Sequence, residues 1–190
     1  MAEAARDPVS TIATSILTLL QGAYSKAWTI QHVPVPMTAP EFKRTLQALP
    51  WIGIGWIASD PGDMAGRLPI YKHALQLVMV IRNQHPAGRM LGDTAGPGLY
   101  PAMDAALRLL HGHPIAGVGT LTVVKSQQAY SDACGEMDLA VGLIDVRVSS
   151  SLPPARTPGD LPDFARLAVN WDVGGAADTA SDVITPEATT

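Results

Sequence analysis

The hydrophobic pattern first predicts a helix near the start of the chain. Asp7 is a residue type that caps helices, and Pro8 suits the first helical position. Apolar residues then recur at spacings of three and four, and Gly22 can end the helix. The apolar positions are Val9, Ile12, Ile16, Leu19 and Leu20. We therefore expect one buried stripe along this helix.

A short strand and a second helix are predicted next. Residues 27–33 (AWTIQHV) have a strand-like composition and are followed by prolines that end a strand. Thr38 can cap a helix whose first turn holds Pro40 and Glu41, and Pro50 would stop it. The apolar stripe of this helix is Phe42, Leu46 and Leu49.

Two further strands are predicted between residues 51 and 82. Residues 51–58 (WIGIGWIA) alternate large apolar side chains with Gly53 and Gly55, and a glycine face allows another backbone to approach closely. Residues 59–63 (SDPGD) have the composition of a turn. Residues 70–82 are apolar on both faces, which is typical of a central strand in a covered sheet.

A long polar loop and a third helix follow. Residues 83–98 predict a loop, and loops of this length are usually functional or mobile. The helix after Gly98 carries an apolar stripe and an exposed pair, Asp104 and Arg108, four residues apart. His111 and Gly112 are expected to close the helix. The stripe is Leu99, Met103, Leu107 and Leu110.

An antiparallel pair of strands is predicted over residues 119–127 and 136–149. The apolar phase of the second strand slips by one residue, which predicts a bulge or bend near residues 142–144. Glu136 and Asp138 are then expected on one strand face as part of a solvated edge.

These elements do not alternate as a doubly wound fold would, so the fold class expected is α+β. We expect a mixed, mainly antiparallel sheet of about five strands, covered by two or three helices in one domain. Residues 1–150 form the core domain in this interpretation. Residues 151–190 form a linker, a C-terminal strand over residues 164–173 and an acidic tail, flexible from Gly174 onward.

Composition and charge narrow the function classes. With 47% hydrophobic and 16% charged residues, the chain suits a globular body. Six acidic residues and two arginines in residues 151–190 account for the whole net charge of −4, so the body is neutral and a poor clamp for DNA. We see no signal peptide and no apolar run long enough for a membrane, and the single Cys134 fits a reducing cytoplasm.

No motif establishes a chemical site. The letters GIGWIA (residues 53–58) match a dinucleotide fingerprint, but that motif needs a helix after the strand, and here the segment is itself the strand. His111 and His113 could ligate a metal together with a carboxylate, yet zinc needs three or four ligands, and a helix stop explains these residues better. Ser149–Ser151 lack a nucleophile elbow, and acidic neighbours disfavour a reactive thiolate at Cys134. We expect no catalytic, cofactor-binding or metal-ligating residue.

The order of certain residues carries a resemblance. Within residues 98–112 the chain resembles the G-x-Y…D-A…L-H-G signature of a Mu-like bacteriophage family of tail-terminator or head–tail joining proteins. The matching residues are Gly98, Tyr100, Asp104, Ala105, Leu110, His111 and Gly112. Residues 49–56 (LPWIGIGW), the Arg82–Asn83 pair at a strand end and Trp171 in a C-terminal strand follow the same order. The resemblance covers about residues 40–175.

The resemblance implies a structural virion protein of the tail and neck, assembled in the host cytoplasm, with no enzymatic activity and no cofactor. Its subunits would form a ring, expected to be a hexamer, that caps the tail tube, stops its polymerisation and provides the surface on which the head docks. The implied partners are the tail tube protein, head-completion or neck proteins and the sheath. DNA would pass through the lumen without specific binding, and no membrane is involved.

Two alternatives stay open at this point. The chain could be another neck, head-completion or tube protein of the same particle, or a small metal-dependent hydrolase that uses His111 and His113. For ring contacts we expect two groups of residues, although ordinary surface or core positions explain them equally. The first is His85, Arg89 and Asp93 in the polar loop, and the second is Arg166 and Trp171. The scattered aromatic residues are expected as core or interface anchors: Trp51, Trp56, Trp171, Tyr100 and Tyr130.

Overall fold

The computed structural model describes residues 7–65, 68–129, 132–151, 167–171 and 180–184, and its fold is α+β. Within residues 7–151 the strands are β1 (Thr29–His32), β2 (Trp51–Ala65), β3 (Leu68–Arg82), β4 (Pro114–Ile115), β5 (Gly119–Thr120), β6 (Thr122–Ala129) and β7 (Leu139–Ser151). Five of them form one mixed sheet in the order β1-β2-β3-β7-β6, in which β1 and β2 are parallel and every other pair is antiparallel. This sheet confirms the fold class predicted from the sequence.

Five helices accompany the sheet in the described part of the chain. They are α1 (Pro8–Ala23), α2 (Ala39–Thr45), α3 (Pro86–Leu91), α4 (Leu99–Leu110) and α5 (Asp132–Glu136). The two-residue strands β4 and β5 pair with each other just after α4.

Both of the first two helices begin where their capping residues predict. Asp7 Oδ1 accepts a hydrogen bond from Ser10 N at 2.8 Å, and Pro8 takes the first helical position of α1. Thr38 and Glu41 form a reciprocal capping box at the start of α2. Ile12, Ile16 and Leu20 are fully buried, which confirms the predicted stripe of α1.

The two faces of the sheet carry separate hydrophobic clusters. Buried residues of α1 and α4 pack against one face of β3. The residues of β3 on this face are Leu75, Leu77, Met79 and Ile81. On the opposite face, Trp51, Val78 and Val80 pack with Phe42 and Leu46 from the α2 segment. Both faces of β3 are therefore covered, as its continuous apolar sequence predicts.

The glycine face of β2 permits a close approach of another backbone segment at Gly55, as predicted. A Cβ at this position would lie 2.8 Å from Val33 O and in contact with the Val35 side chain, so any larger residue would displace the chain that leaves β1. The segment that comes so close is the protein's own.

Residues 59–63, predicted as a turn, instead continue β2, so that prediction is wrong. They pair with β3, and the register shifts between Trp56 and Ala58 and again between Pro61 and Met64. Because β1 ends at His32 opposite Ile54, this half of β2 has β3 as its strand partner, and an edge strand tolerates Pro and irregular pairing. Long-range pairing thus overrides the local turn composition.

A bulge or bend was predicted near residues 142–144, and the bulge is wrong, because β7 pairs with β3 without a register shift from Leu139 to Ser151. The apolar phase changes for another reason. Leu139 and Val141 pack on the α2 side, whereas Ile144 packs on the side of α1 and α4. The first half of β7 is covered on both faces and the second half on one. A register shift does occur in the neighbouring strand β6, between Val123 and Lys125.

Two further expectations need correction. The predicted long loop of residues 83–98 contains helix α3, so it is more ordered than its polar composition indicated. Glu136 and Asp138 do not share a strand face, because Glu136 ends α5 and Asp138 precedes β7 with a left-handed φ of 58°. The negative side chain of Asp138 contacts Arg89 of α3.

A second unit, Pro153–Thr190, is separate from the first, Met1–Leu152. In it β8 (Leu167–Trp171) pairs antiparallel with β9 (Ala180–Ile184). The first of these strands lies within the predicted residues 164–173. The second strand, β9, lies in the segment from Gly174 onward and was not predicted.

Candidate interaction site

A network of polar side chains holds the segment between β3 and α4, where the sequence predicts ring contacts. Asn83 follows β3 directly and is buried. Its Nδ2 donates to both carboxylate oxygens of Asp93 at 3.0 Å each, and its Oδ1 accepts from the backbone N–H of His85 at 2.9 Å. One buried amide therefore joins both ends of α3.

Asp93 is the acceptor at the centre of this network. It also accepts from Ala95 N at 2.8 Å, and backbone hydrogen bonds link Asp93 and Gly96 in both directions. The pKa of Asp93 is lowered first by the hydrogen bond from Asn83, then by that from Ala95, with a smaller contribution from the charge of His85. The carboxylate is therefore stabilised in its charged form as a fixed part of the turn.

An ion pair joins α3 to the start of β7. Arg89 Nη2 lies 3.2 Å from Asp138 Oδ1, and the side chain of Arg89 is 12% exposed against 42% for Asp138. Asn83 N donates to the carbonyl of Asp138 at 3.1 Å, and Asp138 N donates to Gly135 O at 3.2 Å, so the left-handed Asp138 is held by three partners. Such conformations persist where surrounding contacts over-determine them.

Next to Arg89 lies a cavity of about 270 Å³, lined mainly by apolar side chains from α3 and the ends of β6 and β7. Arg89 Nε is buried and has no hydrogen-bond partner among the described residues. Asp138 already balances the charge of Arg89, so the arrangement does not favour an added anion. We interpret the Arg89–Asp138 ion pair as a rigid support for α3. Leu91 at the end of α3 has 68% of its surface exposed.

The structure brings three predicted contact residues together, in different roles. Arg89 and Asp93 are engaged within the chain by the contacts above, whereas His85 occupies the exposed cap position of α3. Trp171 ends β8 in the second unit, while Arg166 and the expected anchor Tyr130 lie outside the described residues.

Two residues of the network were not predicted as site residues, namely Asn83 and Asp138. An Asn that directly follows an apolar strand is a usable signal for a turn anchor, because its side chain readily bonds to nearby backbone. Asp138 carries no comparable signal, since its partner Arg89 lies 49 residues away in the chain.

The residues of the family signature occupy helix α4 and its two ends. Gly98 is the cap residue, Leu110 is fully buried and Gly112 has a φ of +81°, which favours glycine. The predicted pair forms, with Arg108 Nε 2.8 Å from Asp104 Oδ2 on the exposed face. Tyr100 is half exposed, so packing within the subunit does not explain its place in the signature.

Of the two histidines at the end of α4, His111 is engaged within the chain. His111 Nδ1 accepts a hydrogen bond from Val123 N at 3.2 Å, which fastens the helix end to β6. Across the residues that the structure describes, no three His, Cys, Asp or Glu side chains group as a metal site. The helix-closing interpretation of His111 and Gly112 is confirmed by the helix boundary.

A second polar cluster, centred on His73, was not predicted. His73 is buried on the α1 side of β3, with Nδ1 2.7 Å from Ser59 Oγ on β2 and Nε2 2.7 Å from Ser150 Oγ on β7. Burial lowers the pKa of His73, and the negative charge of Asp7 opposes this shift. Its two nitrogens are both used to join neighbouring strands, which makes the cluster a structural clamp. A histidine at an inward-facing position of an alternating strand was the available signal.

Comparison with protein-family models finds no match for this chain, and comparison with curated protein sequences finds none either. Among the described residues, no helix is both long enough and apolar enough to cross a membrane.

Proposed function

We propose that this chain is a structural subunit that acts by assembly and not by catalysis. The polar clusters of the described residues support this proposal, because their side chains are used to hold the subunit in shape. Asn83, Asp93 and His73 each bond to neighbouring elements of the same chain.

More specifically, we propose a phage tail terminator. Its subunits form a ring, expected to be a hexamer, that binds the end of the tail tube, stops its growth and receives the head. The observation that carries this proposal is the resemblance of residues 98–112 to the signature of that family. The geometry of α4 adds that Gly98, Leu110 and Gly112 serve packing and backbone needs.

Tyr100 is the residue of that signature which the subunit itself does not explain. Its ring is half exposed on the first turn of α4, and tyrosine is frequent in the energetically important part of interfaces. We therefore expect Tyr100 to contact the tube or the head-side partner.

The test combines this chain with tail tubes assembled from the tube protein of the same phage. Light scattering should give a mass of about six subunits, and negative-stain images should show a ring at one end of each tube. Tubes grown with the protein should be of restricted length. Tyr100→Ala should weaken tube binding by roughly 10-fold or more and leave the subunit folded.

A stable monomer that ignores tube ends would overturn the proposal. Binding to DNA-filled heads without binding to tubes would overturn the terminator assignment and favour a head-completion protein.

A further inference from the structure

The five-stranded sheet has two long edges that no described strand covers. On one side β1 ends opposite Ile54, and residues of β2 beyond this point pair only with β3 in the described part of the chain. On the other side β6 pairs only with β7. An uncovered edge is a template for association with another chain unless the protein blocks it.

Each edge contains one irregularity at which a large apolar side chain is exposed. Ile57 has no register partner on β3 and is 44% exposed, beside Trp56 at 50%. Val124 has no register partner on β7 and is 49% exposed. A bulge redirects its extra side chain, so both edges direct an apolar group away from the regular ladder.

These side chains are the opposite of those that protect an edge. Protective bulges and edge positions usually carry charged residues or proline. Pro61 and the second irregularity of β2 do limit a continuous backbone ladder there, so contact through the side chains at Trp56 and Ile57 fits better than a fully extended sheet.

The charges of the two edges are complementary. The β2 edge carries Asp60 and Asp63, whereas β6 carries Lys125. Within the described part of the chain, none of these three forms an ion pair. One edge therefore offers unpaired negative charge beside an aromatic and aliphatic pair, and the other offers a positive charge beside a valine.

We propose that copies of this chain associate head to tail, with the Trp56–Ile57 edge of β2 in one copy against the Val124 edge of β6 in the next. The occupant of each edge is thus a second copy of the chain. Two different surfaces that meet in this way form a heterologous contact, which closes into a ring when the rotation permits. This inference rests on the proposed assembly function and names the surfaces that carry it.

The first test places one negative charge at each edge in the full-length chain. Ile57→Glu and Val124→Glu should each raise the dissociation constant for self-association by at least about tenfold, measured by sedimentation velocity over a range of concentrations. Thr18→Glu is the matched control, because it adds the same charge at an exposed position of α1, outside both edges and outside α3, and this variant should assemble like the wild type.

A mixing experiment tests the head-to-tail geometry directly. Ile57→Glu keeps an intact β6 edge and Val124→Glu keeps an intact β2 edge, so an equimolar mixture should form heterodimers that grow no further. A contact between two identical edges predicts a different result, because one of the two variants would then still associate by itself. That result would overturn the proposal.

Charge reversal supplies a second, gentler pair of variants. Lys125→Asp and Asp60→Lys should each weaken self-association by several-fold, and the double variant should recover most of the loss. Circular dichroism of every variant verifies folding. Variants that fold and assemble normally would overturn the proposed contact while the terminator function stands. A wild-type chain that stays monomeric and ignores tubes would overturn both.

Discussion

The hydrogen bonds of His73 show how one side chain can join three strands. Trp56 Nε1 lies 3.2 Å from Ser59 Oγ, and an indole N–H can only donate. Ser59 therefore accepts from Trp56 and can donate its own proton to His73 Nδ1. His73 then carries its proton on Nε2 and donates to Ser150, so the neutral ring satisfies the whole chain of bonds.

This arrangement predicts a loss of stability in mild acid. Because the pKa of folded His73 lies below its ordinary value of 6.5, the unfolded chain binds the proton more readily. The contribution is complete above pH 6.5 and declines as the pH falls below that value, with a slope of at most about 1.4 kcal/mol per pH unit. Asp93, whose pKa is lowered from 3.8, stabilises the folded state above that pH, and its contribution is lost only as the pH falls below it.

The measurement is urea unfolding of the wild type and of His73→Gln between about pH 7.5 and pH 5. The variant should be less stable at the upper end of this range and should depend less on pH, since Gln keeps polar atoms but does not titrate. Equal pH slopes for the two proteins would contradict the role assigned to His73.

At the level of elements, the start of α4 depends on a close crossing of two backbone segments. A Cβ on Gly98 would lie 2.7 Å from Met90 O and would clash with the backbone of Leu91 and Gly92. Since Leu99 directly after it is fully buried, the helix cannot shift outward without exposing its first core residue. The crossing ties α3 to α4 and so positions the polar network around Asn83.

Gly98→Ala should therefore destabilise the protein by about 1–3 kcal/mol, because backbone atoms must move to accommodate the methyl group. The control is Gly22→Ala in α1, where a Cβ meets nothing within 4 Å. That change should stabilise the helix by about 0.5–1 kcal/mol. Equilibrium denaturation measures both, and a neutral Gly98→Ala would show that the crossing is not tight.

On the scale of the whole molecule, the hydrophobic clusters formed by the described side chains lie in the first unit. Every residue of the two buried clusters lies between Ile12 and Val148. We therefore expect the unit Met1–Leu152 to fold by itself, whereas the acidic excess of the chain lies in the second unit. Stability and net charge are thus divided between the two units.

A chain truncated after Leu152 should accordingly keep a single cooperative unfolding transition, with a free energy of unfolding within about 1 kcal/mol of the full-length value. A chain truncated after Val141 loses Ile144, Val146 and Val148 from β7 and should not fold. Denaturation followed by tryptophan fluorescence tests both. Loss of the transition in the chain that ends at Leu152 would show that the second unit is needed for stability.

The predictions that succeeded rest on interactions close in sequence. The caps at Asp7 and Thr38, the stripe of α1 and the helix stop at His111 all depend on residues within a few turns. The central position of β3 was also predicted, since continuous apolar sequence needs cover on both faces. By contrast, the contact residues His85, Arg89 and Asp93 were predicted only to lie in one polar loop. Their hydrogen bonds to Asn83 and Asp138 were not predicted.

By itself, the sequence determined where α1, α2 and α4 begin, that β3 is covered on both faces and that the fold is α+β, because capping and periodicity are local properties. Helices α3 and α5 were not predicted, and α2 ends at Thr45, before the predicted stop at Pro50. Only the tertiary structure decided that residues 59–63 extend β2, that β7 runs without a bulge and that His73 joins Ser59 to Ser150. Each of these depends on which strand lies alongside, and the His73–Ser150 bond spans 77 residues of chain. Strand pairing and burial between residues so far apart in the chain have no signature in a short window of sequence.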